Sequence, residues 1–202
     1  MVFFEGIPGS GKSGGVYRAD TAIINNIDPS ILENAIYAHT TSDNAKDAAD
    51  NIGLKKYRAM DKEMLMKYIS DDWRDVSKNP DNKDGYYYLY DDSYDFVDGK
   101  LVNKWKINKV SDAPRVMYID EITHYNQQEL SMLEQFAKEN GTVLLLAGDL
   151  DQSKLRANTT KVKYKGSDLD VSISRNYFPR IPKIGLTLRT LNRQMNHSVL
   201  MM

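Results

Sequence analysis

Eight residues, Gly6-Ile7-Pro8-Gly9-Ser10-Gly11-Lys12-Ser13, leave this chain few ways to fold around them. They fill the pattern G-x-x-x-x-G-K-[ST] completely. They lie between a short apolar run, Val2-Phe3-Phe4, and a stretch from Lys12 to Asn25 where Val16, Ala19, Ile23 and Ile24 recur at helical spacing. Strand, glycine-rich loop and helix in that order make a cradle for phosphate. Glycines at 6, 9 and 11 let backbone N–H groups close around an anion, Pro8, Ser10 and Gly14 line the same turn, and the helix start adds the positive end of its dipole. Lys12 is expected to reach the terminal phosphates of a nucleoside triphosphate and the Ser13 hydroxyl to ligate a divalent ion, so ATP with Mg²⁺ is the expected ligand pair. A chance Gly-rich turn is the plain alternative, and the flanking strand and helix argue against it. Gly14 and Gly15 fall in the first helical turns, where each costs about 1 kcal/mol relative to alanine; close backbone packing would explain them.

The rest of the chain continues the strand–helix alternation. Ala35 to Ala38 reads as a second buried strand, followed by a polar turn and a helix from Asn44 to Ile52. Val116 to Ile119 is a third, ending in Asp120-Glu121. Gln127 to Glu139 then places Leu130, Leu133, Phe136 and Ala137 on one helical face, and Gly141 closes that helix. Thr142 to Ala147 is a fourth strand and Ile184 to Leu188 a candidate fifth. Continuous apolar strands alternating with amphipathic helices predict an α/β fold: a mostly parallel sheet with helices on both faces. Residues from about 53 to 114 interrupt the rhythm with the run Tyr86-Tyr87-Tyr88-Leu89-Tyr90 and with Tyr94, Phe96 and Trp105. They read as an aromatic-rich insertion in a single domain, with a helix near Lys62 to Ser70 and a hairpin at Asp98-Gly99. The stretch from Gln152 to Arg180 is polar and carries no assignable pattern.

Acidic residues at the carboxyl end of a buried strand sit where such sheets present groups to ligands. Asp120 is therefore expected to hold Mg²⁺, and Glu121 to orient or deprotonate the water that attacks the γ-phosphate. An ordinary helix N-cap is the alternative for Asp120. The chain balances 27 basic against 28 acidic residues, so no global field marks a nucleic-acid or membrane partner, and only a local basic groove could do so. No cysteine is present, which excludes disulfides and thiolate metal sites and fits a cytoplasmic setting. No window approaches the roughly 18 apolar residues of a membrane helix. His39, His124 and His197 show no ligand spacing.

Two further segments carry a family resemblance. Gly148-Asp149-Leu150-Asp151-Gln152-Ser153 resembles the G-D-x-x-Q motif of superfamily-one helicases, and Ala38-His39-Thr40-Thr41 with Ala45, Ala48 and Ala49 looks like their Ia segment. Leu188 to Gln194 is similar to the motif that supplies an arginine to the γ-phosphate. The resemblance implies the first RecA-like P-loop NTPase domain of such a helicase. Gln152 would then sense the γ-phosphate, Arg193 or secondarily Arg189 would stabilise its developing charge, and the Ia segment would touch single-stranded DNA or RNA. It also implies a second RecA-like domain or a protein partner. A competing resemblance is to Zot-like ATPases of viral or phage assembly, which act through protein partners and would work in a host cytoplasm. The tyrosine run could stack on bases, though alternating aromatics more often pack across strands.

Overall fold

The computed structural model describes residues 1–6, 12–75, 87–88, 94–98, 100–150, 161–164 and 167–170. Five strands form one all-parallel sheet: β1 (Val2–Glu5), β2 (Ala35–Ala38), β3 (Tyr57–Met60), β7 (Val116–Ile119) and β8 (Val143–Gly148). Their order across the sheet is β1-β8-β7-β2-β3. Period-two alternation feeds both faces from the same strands. Phe4, Tyr37, Tyr118, Leu145 and Ala147 face one side, while Phe3, Ile36, Met117, Ile119, Leu144 and Leu146 face the other.

Helices α1 (Arg18–Ile27) and α2 (Ser42–Ile52) cover the first face; α3 (Lys62–Ile69) and α4 (Gln127–Asn140) cover the second. Strand-to-strand crossovers are right-handed, so connections that run in opposite directions across a sheet must lie on opposite faces. The chain obeys this. It travels from β1 to β2 and on to β3 over the first face, then returns from β7 to β8 by way of α4 on the second. Capping fixes the helix ends. Asn126 and Glu129 form a reciprocal capping box at the start of α4, Thr41 caps α2 through the Asn44 N–H, and left-handed Gly53 and Gly141 close α2 and α4.

Four expectations change in detail. The first helix begins as a π-helical turn, Lys12–Tyr17, ahead of the regular α1. Tyr17 and Thr21 are buried, while Ala19 is exposed and Ile23 is 56% exposed. Residues 57–69, read as the opening of an insertion, belong to the core: β3 pairs with β2, and Leu65, Met66 and Ile69 of α3 are fully buried. Edge position hid this strand, because β3 is buried at only one residue and lacks a continuous apolar run. Trp105 and Ile107 also join the core of the second face.

The hairpin at Asp98 is present as β5 (Tyr94–Val97) against β6 (Lys100–Asn103). A separate three-stranded sheet joins β4 (Tyr87–Tyr88) to β9 (Lys161–Tyr164) and β10 (Ser167–Asp170). The tyrosine-rich stretch thus pairs with the polar region after β8 that carried no readable pattern. The proposed fifth strand, Ile184 to Leu188, lies outside the described residues. Among the described residues no helix is long and apolar enough to cross a membrane.

Candidate phosphate and metal site

All five parallel strands end on one edge, which gathers Gly6, His39, Asp61, Asp120, Glu121 and Asp149 there. Gly6 follows β1 and Asp120 follows β7, with only β8 between them, a lateral separation of roughly 10 Å at about 4.8 Å per strand. Three backbone bonds tie this edge together: Gly6 N–H donates to the Gly148 carbonyl (3.3 Å), Asp120 N–H to the Ala38 carbonyl (2.9 Å) and His39 N–H to the Met60 carbonyl (3.1 Å).

Tyr17 locks the helix after the glycine-rich segment onto the same edge. Its ring is fully buried, and its hydroxyl lies 3.1 Å from the Ile119 carbonyl and 2.8 Å from that of Leu145, donating to this pair of acceptors. Phe4, Tyr37 and Tyr118 surround it edge-on at 5.1 to 6.0 Å. Burial, and then the Asp120 charge, push the Tyr17 hydroxyl well above its usual pKa, so it stays protonated and remains a donor. Thr21 adds a second tie through its hydroxyl to that of Tyr118 (2.9 Å). Sequence reading missed both residues because a polar-tipped aromatic and a threonine do not register in an apolar helical pattern.

Asp120 is almost wholly buried. Its Oδ1 accepts the Glu121 N–H at 2.9 Å, and its Oδ2 faces the Tyr37 hydroxyl at 3.4 Å and His39 Nε2 at 3.8 Å. Glu121 is half-buried and left-handed (φ 53°, ψ 49°), a conformation that costs a non-glycine residue about 1–2 kcal/mol. Such strain persists only where surroundings impose it. Here the surroundings are visible. Ile122 packs so closely under Gly148 that a Cβ on the glycine would sit 2.5 Å from Ile122 Cγ2 and 3.2 Å from its backbone nitrogen. Downstream, Lys62 Nζ donates to the His124 carbonyl (2.9 Å) and pairs with buried Glu129 (2.8 Å) above the Tyr125 ring. Gly148 is therefore glycine for a packing reason, beyond any preference of turns for it.

The structure brings the end of β1 and Asp120 with Glu121 to one sheet edge, and Tyr17 ties the helix that starts at Lys12 to the sheet. The side chains of Lys12 and Ser13 lie outside the described portion, as do Pro8, Gly9, Ser10, Gly11, Gln152, Arg189 and Arg193. Gly14 and Gly15 are exposed, and a Cβ at either would meet nothing within 4 Å among the described residues, so packing against these does not explain them. Ala45 and Ala49, quoted for the Ia resemblance, are fully buried where α2 lies against the sheet. Among the described residues no three His, Asp or Glu side chains converge on a metal position. No family model matches the chain, nor does any curated protein, so the site stands on its own geometry.

Proposed function

We propose that the chain is a Mg²⁺-dependent ATPase built on a RecA-like P-loop domain, the motor half of a superfamily-one helicase-like protein stimulated by single-stranded nucleic acid. One observation carries the reading. The strand leading into the G-x-x-x-x-G-K-S pattern and the strand ending in Asp120-Glu121 open on the same sheet edge with one strand between them, and Tyr17 binds the helix of the first to the end of the second. A triphosphate held at β1 would extend across β8 toward Asp120. The donor set suits a hard cation, since Asp120 and Ser13 offer only oxygen. Mg²⁺ bound there would neutralise charge on the β- and γ-phosphate oxygens.

The chain's own residues supply the remainder. Backbone N–H groups between Gly9 and Ser13 and the Lys12 ammonium hold the phosphates. The Glu121 carboxylate accepts the proton of the attacking water, and its left-handed backbone sets the direction in which the side chain leaves the strand end. Gln152 and Arg193 complete the reading as γ-phosphate contacts.

ATP turnover measured with and without single-stranded DNA or RNA tests the proposal. Lys12→Ala should abolish nucleotide binding or turnover, and Glu121→Gln should cut turnover by about 10²-fold or more while nucleotide still binds. Turnover indifferent to both nucleic acids would remove the helicase-like reading and leave an ATPase that acts through protein partners. Full activity in Lys12→Ala would end both.

A further inference from the structure

Asp120 lies at a special place in the sheet. The connections leaving β2 and β7 run to opposite faces, so a crevice opens outside the carboxyl ends of these two neighbours. His39 and Asp120 face each other across it. Asp120 Oδ1 accepts the Glu121 N–H, and Oδ2 is the oxygen on the side of Tyr37 and His39.

Two side chains of the β2 end flank that oxygen. Tyr37 reaches it from within the aromatic stack: its ring lies parallel to Tyr118 at 5.9 Å and edge-on to Tyr17 at 6.0 Å, which leaves the hydroxyl little freedom. His39 approaches from the next position along the edge. The Thr40 N–H donates to His39 Nδ1 at 2.7 Å, with the Thr40 hydroxyl 2.9 Å from the same nitrogen, and an Nδ1 that accepts leaves Nε2 as the ring nitrogen that carries hydrogen toward Asp120. That nitrogen is 3.8 Å from Oδ2. His39 is itself anchored, because its backbone N–H donates to the Met60 carbonyl of β3.

We propose that Tyr37 and His39 are positioning residues that aim Oδ2 of Asp120 at a divalent cation and so set the metal affinity of the site. The proposal rests on the ATPase reading and adds to it two residues that no phosphate-binding pattern names. Groups that orient a ligating carboxylate typically alter metal affinity or activity 10–100-fold when removed. Removal should therefore act on metal binding and leave the phosphate cradle alone.

Mn²⁺ binding followed by electron paramagnetic resonance, with a non-hydrolysable ATP analogue, provides the test. In Tyr37→Phe and in His39→Ala the Mn²⁺ dissociation constant should rise about tenfold each, while metal-free analogue affinity stays within about twofold of wild type. His39→Gln, which keeps an N–H near the same point, should recover most of the loss, whereas a purely structural histidine would show no such rescue. Tyr37→Phe preserves the ring stack and guards against misfolding as the cause. Wild-type Mn²⁺ affinity in both variants, alongside its loss in Asp120→Asn, overturns this inference alone. A wild-type chain that binds neither analogue nor Mn²⁺ overturns the inference together with the ATPase reading.

Discussion

The two faces of the sheet are built from the same strands yet held by different forces. Under α3 and α4 the core is aliphatic and methionine-rich, with Leu65, Met66, Ile69, Met132, Leu133 and Phe136 packed on Ile36, Met117 and Ile119. Under α1 and α2 it is small and polar-tipped: Ala35, Ala45, Ala49 and Ala147 bring backbones close, and Tyr17, Tyr37, Tyr118 and Thr21 join them by hydroxyl bonds. Apolar packing is nearly isotropic and scales with buried area. A hydrogen bond loses strength within a few tenths of an ångström or tens of degrees. The face that carries the helix after the glycine-rich segment is thus the one whose geometry is directionally specified, and the opposite face supplies bulk stability.

Removing bulk from the second face should have the largest effect on folding. Phe136→Ala, at a fully buried ring, should cost about 3–5 kcal/mol in urea unfolding, with unchanged nucleotide affinity in the fraction that folds. A comparable loss of affinity would erase the distinction between the faces. Gly148→Ala should cost about 1–3 kcal/mol, since the new methyl must displace Ile122. Its effect on turnover should exceed its effect on stability, because Ile122 follows the strained Glu121 directly. Adding Ile122→Leu, which moves the branch away from Cβ, should restore part of both.

Tyr17→Phe sharpens the comparison from the other side. Loss of one hydroxyl should cost about 1 kcal/mol of stability, yet it detaches the first helix from the Ile119 and Leu145 carbonyls, so turnover should fall disproportionately. The same variant is informative at alkaline pH. The Tyr17 hydroxyl is held above its usual pKa in the folded chain, so the folded state keeps a proton that the unfolded state loses above about pH 10. Stability that is intact below pH 10 should decline above it, and Tyr17→Phe should make that decline shallower by up to about 1.4 kcal/mol per pH unit. An unchanged alkaline slope would mean that Tyr17 is not sealed from solvent.

Much of the architecture was legible because burial leaves a simple trace. A strand covered on both faces needs consecutive apolar residues, and Ala35 to Ala38, Val116 to Ile119 and the run before Gly148 show them without ambiguity. Edge strand β3 left no such trace, since half of its surface is open, and neither did β9, whose residues Lys161 to Tyr164 alternate charge with apolarity. The buried face of the first helix was misread because its buried residues Tyr17 and Thr21 carry hydroxyls, while apolar Ala19 and Ile23 lie exposed.

Residue chemistry and spacing alone determined the G-x-x-x-x-G-K-[ST] pattern, the acidic pair after a buried strand, and an α/β sheet with helices on both sides. Each depends only on neighbours along the chain. Tertiary structure decided what depends on residues far apart: that β8 lies between β1 and β7, that Tyr17 reaches carbonyls 102 and 128 positions away, that Gly148 makes room for Ile122, and that Tyr37 and His39 converge on Asp120. Such convergence is set by strand order and by which face each crossover takes, and a linear pattern carries neither.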